Sequence, residues 1–167
     1  MLLFGLVGGR LVVMNESNST HVIAAPLDPV FAAFSDFAAM PGRIKGIKRV
    51  EMLTPAPVGI GTHFRETRQM HGRDATEEME VTAFDSPTMY AVSCRSCGCR
   101  ITTTFHFEQS KPGTRVSFDI VAQPTSWFTK LLYPLRRLLI GMIQKCVTDD
   151  VLDLKRALET PVAAAAK

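Results

Sequence analysis

The spacing of apolar and polar residues changes its period along the chain, and each change marks an element. His21 to Ala25 alternates as a strand, and Pro26, Leu27, Asp28 and Pro29 then set a helix start before Val30, Phe31, Phe34 and Phe37. Pro41 and Gly42 break that pattern ahead of a second short helical turn, and Ile47 to Leu53 resumes as a strand that ends at Pro55 and Pro57. From Gly61 to Gln123 the alternation has a period of two. It is punctuated by turn signals at His71-Gly72, Ser86-Pro87, around Cys97-Gly98 and at Lys111-Pro112-Gly113, so the spacing predicts a meander of five strands. Strands joined by such short turns are antiparallel, because a parallel pair needs a long crossover. From Ser126 to Glu159 the period becomes helical, with Leu131, Leu135, Leu138, Met142, Cys146, Val147, Val151, Leu154 and Leu158 on one stripe. Thr125 or Ser126 is placed to cap this long helix and Pro134 to kink its first turns.

Charges test the strand register independently. If His71-Gly72 is a two-residue turn, residues whose numbers sum to 143 stand opposite each other. Arg65 then faces Glu78 and His63 faces Glu80 on one side of the sheet, while Phe64 faces Met79 and Thr62 faces Val81 on the other. The first set suits solvent and the second a core. The same register brings Glu66 opposite Glu77 on the apolar side, with Arg68 two residues along. Two facing carboxylates repel unless a cation or a shared proton intervenes. The three charges therefore form an ion network, contact something polar, or project past the core into solvent.

Composition narrows the class. The chain has 167 residues, 46% hydrophobic and 21% charged, enough for one globular core and too few for two ordinary domains. Its net charge of +3 comes from 19 basic residues interleaved with 16 acidic ones, which gives no basic run for a nucleic acid to recognise. The apolar opening lacks the flanks of a signal peptide and is too short to cross a bilayer, and because Met14 begins a plausible chain of its own, residues 1–14 are expected to be an extension outside the fold. Residues 15–159 form the domain, and 160–167, with its alanine run, a disordered tail. Four cysteines are too few for a disulfide scaffold, so a reducing, cytoplasmic setting is expected. Cys94, Cys97 and Cys99 are the only metal-ligand candidates and fall short of a closed zinc set. A turn at Ser96-Cys97 would put Cys94 opposite Cys99, either as a plain reduced hairpin or as a redox-sensitive pair. Cys146 lies on the apolar helix stripe as inert packing.

Four segments, VIAAPLDPVFAAFSDFAAMPGRI, VGIGTHFRETRQMHGRDATEEMEVTAFDSPTMYAV, GTRVSFDI and DDVLDLKRALE, together resemble the polyketide cyclase/dehydrase-type proteins of the START-like superfamily. The resemblance spans about Val22 to Glu159. It implies an α+β helix-grip fold: a curved antiparallel sheet of about seven strands, two short helices after the first strand, and a long C-terminal helix packed across the concave face. It also implies a cavity between sheet and helix for a small hydrophobic ligand.

The strand residues expected to line that cavity include Phe64, Met79, Val81 and Tyr90, together with Ile101, Thr103, Phe105, Phe118 and Ile120. Leu131, Leu135, Leu138 and Met142 are expected from the helix. Glu66, Arg68, Glu77 and Tyr90 are the candidates for orienting a ligand. Three functions are open. The first is binding or carriage of a lipid-like, quinone or aromatic molecule, with no cofactor and no catalytic residue. The second is a polyketide-type cyclase or dehydratase using Glu66 or Glu77 as acid or base with Arg68 polarising a carbonyl. The third is an interaction module at the membrane periphery, touching lipid transiently through Trp127 to Arg137. No nucleophile motif, dinucleotide fingerprint or P-loop occurs.

Overall fold

The computed structural model describes residues 4–7, 10–70, 72–96, 98–125 and 136–160, with side chains from residue 19 onward except 136–139. The strands are β1 (Phe4–Val7), β2 (Arg10–Ile23), β3 (Ile47–Met52), β4 (His63–Met70), β5 (Arg73–Asp85), β6 (Met89–Ser96), β7 (Cys99–Gln109) and β8 (Thr114–Pro124). The helices are α1 (Leu27–Ser35), a 3-10 turn at Phe37–Ala39, α2 (Met40–Arg43) and the long α3 (Arg136–Glu159). All neighbouring strands pair antiparallel in the order β1-β2-β8-β7-β6-β5-β4-β3. This is the expected helix-grip arrangement. The seven expected strands are β2 to β8, and β1 adds an eighth at the edge. Phe4 pairs with Val13 and Val7 with Arg10, so the stretch expected to lie outside the fold forms a hairpin continuous with β2. The Pro134 kink and the tail beyond Thr160 lie outside the described residues.

The β4–β5 register is the one the charges set, from His63 opposite Glu80 to Met70 opposite Arg73. Two residues are left for the turn, and Gly72 takes φ +77, a conformation glycine adopts without strain. Register shifts at Asn15/Ser19, Ile47/Arg49 and Val81/Ala83 interrupt three ladders. Extra residues of this kind bend a strand and increase its twist, which is what a sheet needs to wrap around a helix. On the convex face Arg65 lies 3.4 Å from Glu51 and 3.8 Å from Glu78, and His106 lies 3.3 Å from Asp119. His63, on the side expected to meet solvent, and His106 are thus both on the outward face.

Helix α1 begins where Pro26 holds an extended backbone, and Pro29 falls in the first turn, where the missing N–H removes no helical hydrogen bond. Its Phe31 and Phe34 reach the sheet. Phe31 meets Phe107 edge-on with centroids 5.2 Å apart, Phe34 meets Phe107 at 5.3 Å, and Phe37 stacks on Phe64 at 4.4 Å. Polar ties then fix the C-terminal half of α3. Asp153 accepts the Lys45 N–H at 2.9 Å, Lys155 donates to the Val22 carbonyl at 2.7 Å, and Glu159 accepts the Ala24 N–H at 2.8 Å.

Gly113, the residue before β8, packs directly on the backbone that leaves β2: a Cβ there would collide with the Ile23 carbonyl oxygen and lie 2.8 Å from the Ala25 nitrogen. Both neighbours are backbone and cannot swing away. Gly113→Ala is therefore expected to lower stability by about 2 kcal/mol, read as an earlier urea midpoint. An unchanged midpoint would mean that the end of β2 yields without loss.

Candidate functional site

The concave side of the sheet and the facing side of α3 enclose a cavity of about 370 Å³. Most of its wall is apolar. Phe64, Met79, Val92, Ile101 and Phe105 come from the strands, Phe34, Phe37, Met40 and Ile44 from the α1–α2 segment, and Met142, Ile143 and Val147 from α3. At one place the wall is charged.

Glu66 and Arg68 alternate inward along β4, and α3 brings Cys146 and Asp150, one helical turn apart, against them. Arg68 directs three donors in three directions. Its Nε donates to Glu66 Oε1 at 2.6 Å, Nη1 to the Cys146 sulfur at 2.9 Å and Nη2 to Asp150 Oδ2 at 2.8 Å. The guanidinium thus bridges sheet and helix. Side-chain exposure is only 16% for Arg68, 7% for Glu66 and 19% for Asp150, so the ions meet in a largely dehydrated place where an unmatched charge is expensive.

The two ends of the Arg68–Asp150 pair respond in opposite senses. Burial works against the charged guanidinium, but the carboxylates of Asp150 and Glu66 outweigh it, and Arg68 holds its proton more firmly than an ordinary arginine. Burial likewise works against the Asp150 carboxylate; Arg68 offsets this only in part, Glu66 and Asp153 add to it, and the pKa is pushed up to about 6. One guanidinium already neutralised by Glu66 leaves Asp150 as surplus negative charge.

Glu77 stands opposite Glu66 on β5, half-buried and on the cavity wall, with no hydrogen bond or ion pair among the described residues. Glu66 Oε2 receives no donor from them either, because its one bond is made by Oε1. The ion network expected around Glu66 and Arg68 therefore forms, but Asp150 completes it and Glu77 stands apart.

Of the other candidates, Met79, Thr103, Phe105 and Met142 face the cavity. Tyr90 does so with its ring, but its hydroxyl donates to the Phe34 carbonyl at 3.0 Å, so that donor serves the fold and not a ligand. Burial, and after it Asp150 and Glu66, raise its pKa well above the usual phenol value. Phe118, Val81 and Ile120 point inward but are closed off in the core and do not reach the cavity. Leu131, Leu135, the Leu138 side chain, and Trp127 to Pro134 lie outside the described residues.

The cysteine register differs from the expectation by one turn position. Ser96 pairs with Cys99 and Cys94 with Ile101, so Cys94 and Cys99 are not opposite each other. Cys97 lies outside the described residues, and among those described no group of three or more His, Cys, Asp or Glu is placed to hold a metal ion. Nor is any described helix long and apolar enough to cross a membrane.

The family model for polyketide cyclase / dehydrase and lipid transport matches residues 14–159. No curated protein matches the sequence. Among solved structures the chain is similar to Ara h 8.0201, with a TM-score of 0.72 and 14% identity over 88% of this chain and 97% of that one. It is also similar to the di-domain ARO/CYC StfQ from the steffimycin biosynthetic pathway, with a TM-score of 0.74 and 14% identity over 89% of this chain and 51% of that one. It thus spans about half of that di-domain protein. A START superfamily protein from Mycobacterium smegmatis gives 0.65 and 17%, over 89% and 97%. Identities this low show a shared fold and nothing narrower.

Proposed function

The chain belongs to the polyketide cyclase / dehydrase and lipid transport family, and from that premise we propose that it binds a small hydrophobic molecule between sheet and α3. The observation that carries this is the cavity itself: about 370 Å³ of apolar wall with one polar end. That volume falls at the small end of the ~300–1,000 Å³ typical of small-molecule sites, so one compact aromatic or single-chain molecule suits it better than a two-chain lipid. Apolar burial supplies affinity, and the polar groups at Glu66, Arg68, Glu77 and Asp150 fix orientation.

Purification from the native host, followed by native mass spectrometry and solvent extraction, should recover a stoichiometric small molecule. In parallel, the neutral fluorophore N-phenyl-1-naphthylamine should bind the unloaded protein. Met142→Trp, which fills the cavity from α3, should weaken that binding by at least about tenfold while the melting temperature holds. Unchanged uptake in the filled variant would place the fluorophore elsewhere and remove the support for the cavity.

One observation favours turnover as a second reading. Asp150, on the cavity wall beside Arg68 and with its pKa pushed up to about 6 by burial, is placed for proton transfer in addition to the Glu66 or Glu77 expected from sequence. If a polyketide-like substrate is converted, Asp150→Asn should abolish conversion; full activity in that variant would exclude Asp150 as the acid or base.

A further inference from the structure

The charge inventory of the cavity specifies the ligand further. Three carboxylates, Glu66, Glu77 and Asp150, share the polar end with one guanidinium, Arg68. Glu66 and Glu77 are direct partners across β4 and β5 on the inward face, where opposed side chains have Cβ atoms about 5 Å apart and like charges destabilise the pair. Arg68 relieves only one of them: it reaches Glu66 and Asp150 but not Glu77. Glu66 Oε2 and both Glu77 oxygens accept nothing from the described residues. The wall thus offers several unfilled acceptors and an excess of negative charge that its single guanidinium does not balance.

We infer that the ligand is an amphiphilic amine, its apolar body in the cavity and its protonated nitrogen between Glu66 and Glu77. A primary or secondary ammonium carries the two or three donors these oxygens lack, and its charge removes the repulsion between them. A carboxylic acid of the same body is selected against, because it would add a fourth anion and would meet a guanidinium already committed to Glu66, Cys146 and Asp150. An alcohol lies between the two, donating one hydrogen bond without relieving the charge. The surrounding apolar wall rules out a bare metal ion as the natural occupant, since it would leave most of the cavity unfilled.

This inference rests on the cavity being a ligand site, and the experiment separates the two claims. The full chain is loaded with N-phenyl-1-naphthylamine at about pH 7.5, where an alkyl amine is fully protonated. Decylamine, decanol and decanoate, alike in body and different in head, then displace the fluorophore below their aggregation concentrations. Decylamine is expected to bind at least about tenfold more tightly than decanoate, the scale of a hydrogen bond to a charged group, with decanol between. Glu77→Gln, which removes the unpaired charge without touching the Arg68 bridge, is expected to bring the amine-to-acid ratio several-fold closer to one. If the fluorophore is not taken up, the cavity is not a binding site and the amine assignment falls with it. If it is taken up and decanoate competes as well as decylamine, the cavity stands and the amine assignment alone is overturned. A Glu77→Gln protein that keeps the full ratio likewise overturns it.

Discussion

Replacing Arg68 by methionine is expected to cost about 3–5 kcal/mol of stability, the largest effect of any single substitution at the site. Arg68 is the one cation in contact with Glu66 and Asp150 among the described residues, and both acids sit more than four-fifths buried. Removal of one partner from such a group leaves the others dehydrated and uncompensated, and that desolvation, more than the lost attraction, sets the size of the effect. Methionine keeps much of the volume, so a large loss would report charge and not packing. The bridge from β4 to α3 goes as well, leaving the helix held by its ties to Lys45, Val22 and Ala24. Urea denaturation at about pH 7.5 reads this as a lower midpoint at unchanged slope. Part of the loss should return on acidification, because protons can neutralise the stranded carboxylates in place of the guanidinium. Arg68→Lys should fall between, keeping the charge but not the three-way fork. A loss below about 1 kcal/mol would put the network in the class of solvated surface pairs.

The half of this network that lies on β4 and β5 was readable in the sequence, because a two-residue turn makes register a matter of counting: Glu66 must face Glu77 once Met70 faces Arg73. The half on α3 was not, because Arg68 and Asp150 are 82 residues apart and no local rule joins them. A signal existed. Asp150 stands four residues after Cys146 and four before Leu154, on the stripe otherwise given to the core, and an acid at such a place needs a partner. The β6–β7 turn shows how narrow the margin is: moving it by one residue, from Ser96-Cys97 to Cys97-Gly98, replaces Cys99 by Ile101 as the partner of Cys94. Gly98, at φ +70, was the residue to anchor it. The cavity wall was legible where alternation along a strand decides it. It was missed where Phe34, Phe37, Met40 and Ile44 enter from short helices, whose placement over the sheet depends on tertiary packing rather than on period.

Asp150 should give this protein a pH dependence opposite to that of an ordinary paired carboxylate. An aspartate in the unfolded chain titrates near 3.9, whereas in the fold burial pushes Asp150 up to about 6. Between those values the folded protein retains a proton that the unfolded chain has released, so stability falls as pH rises through the interval and levels off above it. Two pKa units correspond to about 3 kcal/mol, fully present below pH 4 and lost by the upper end of the window. Every carboxylate of the folded and unfolded chain can contribute to stability in acid, so the test is a difference. Asp150→Asn keeps an oxygen to accept from Arg68 Nη2 and removes the ionisation. Wild-type minus variant stability, from urea midpoints taken at half-unit steps, should decline between about pH 4 and 6, with the asparagine protein at least as stable at pH 7.5. A difference that rises through the window would show that Arg68 favours the ionised carboxylate over the neutral acid. The cavity would then carry no surplus charge at α3, and the demand for a second cation would fall on Glu77 alone.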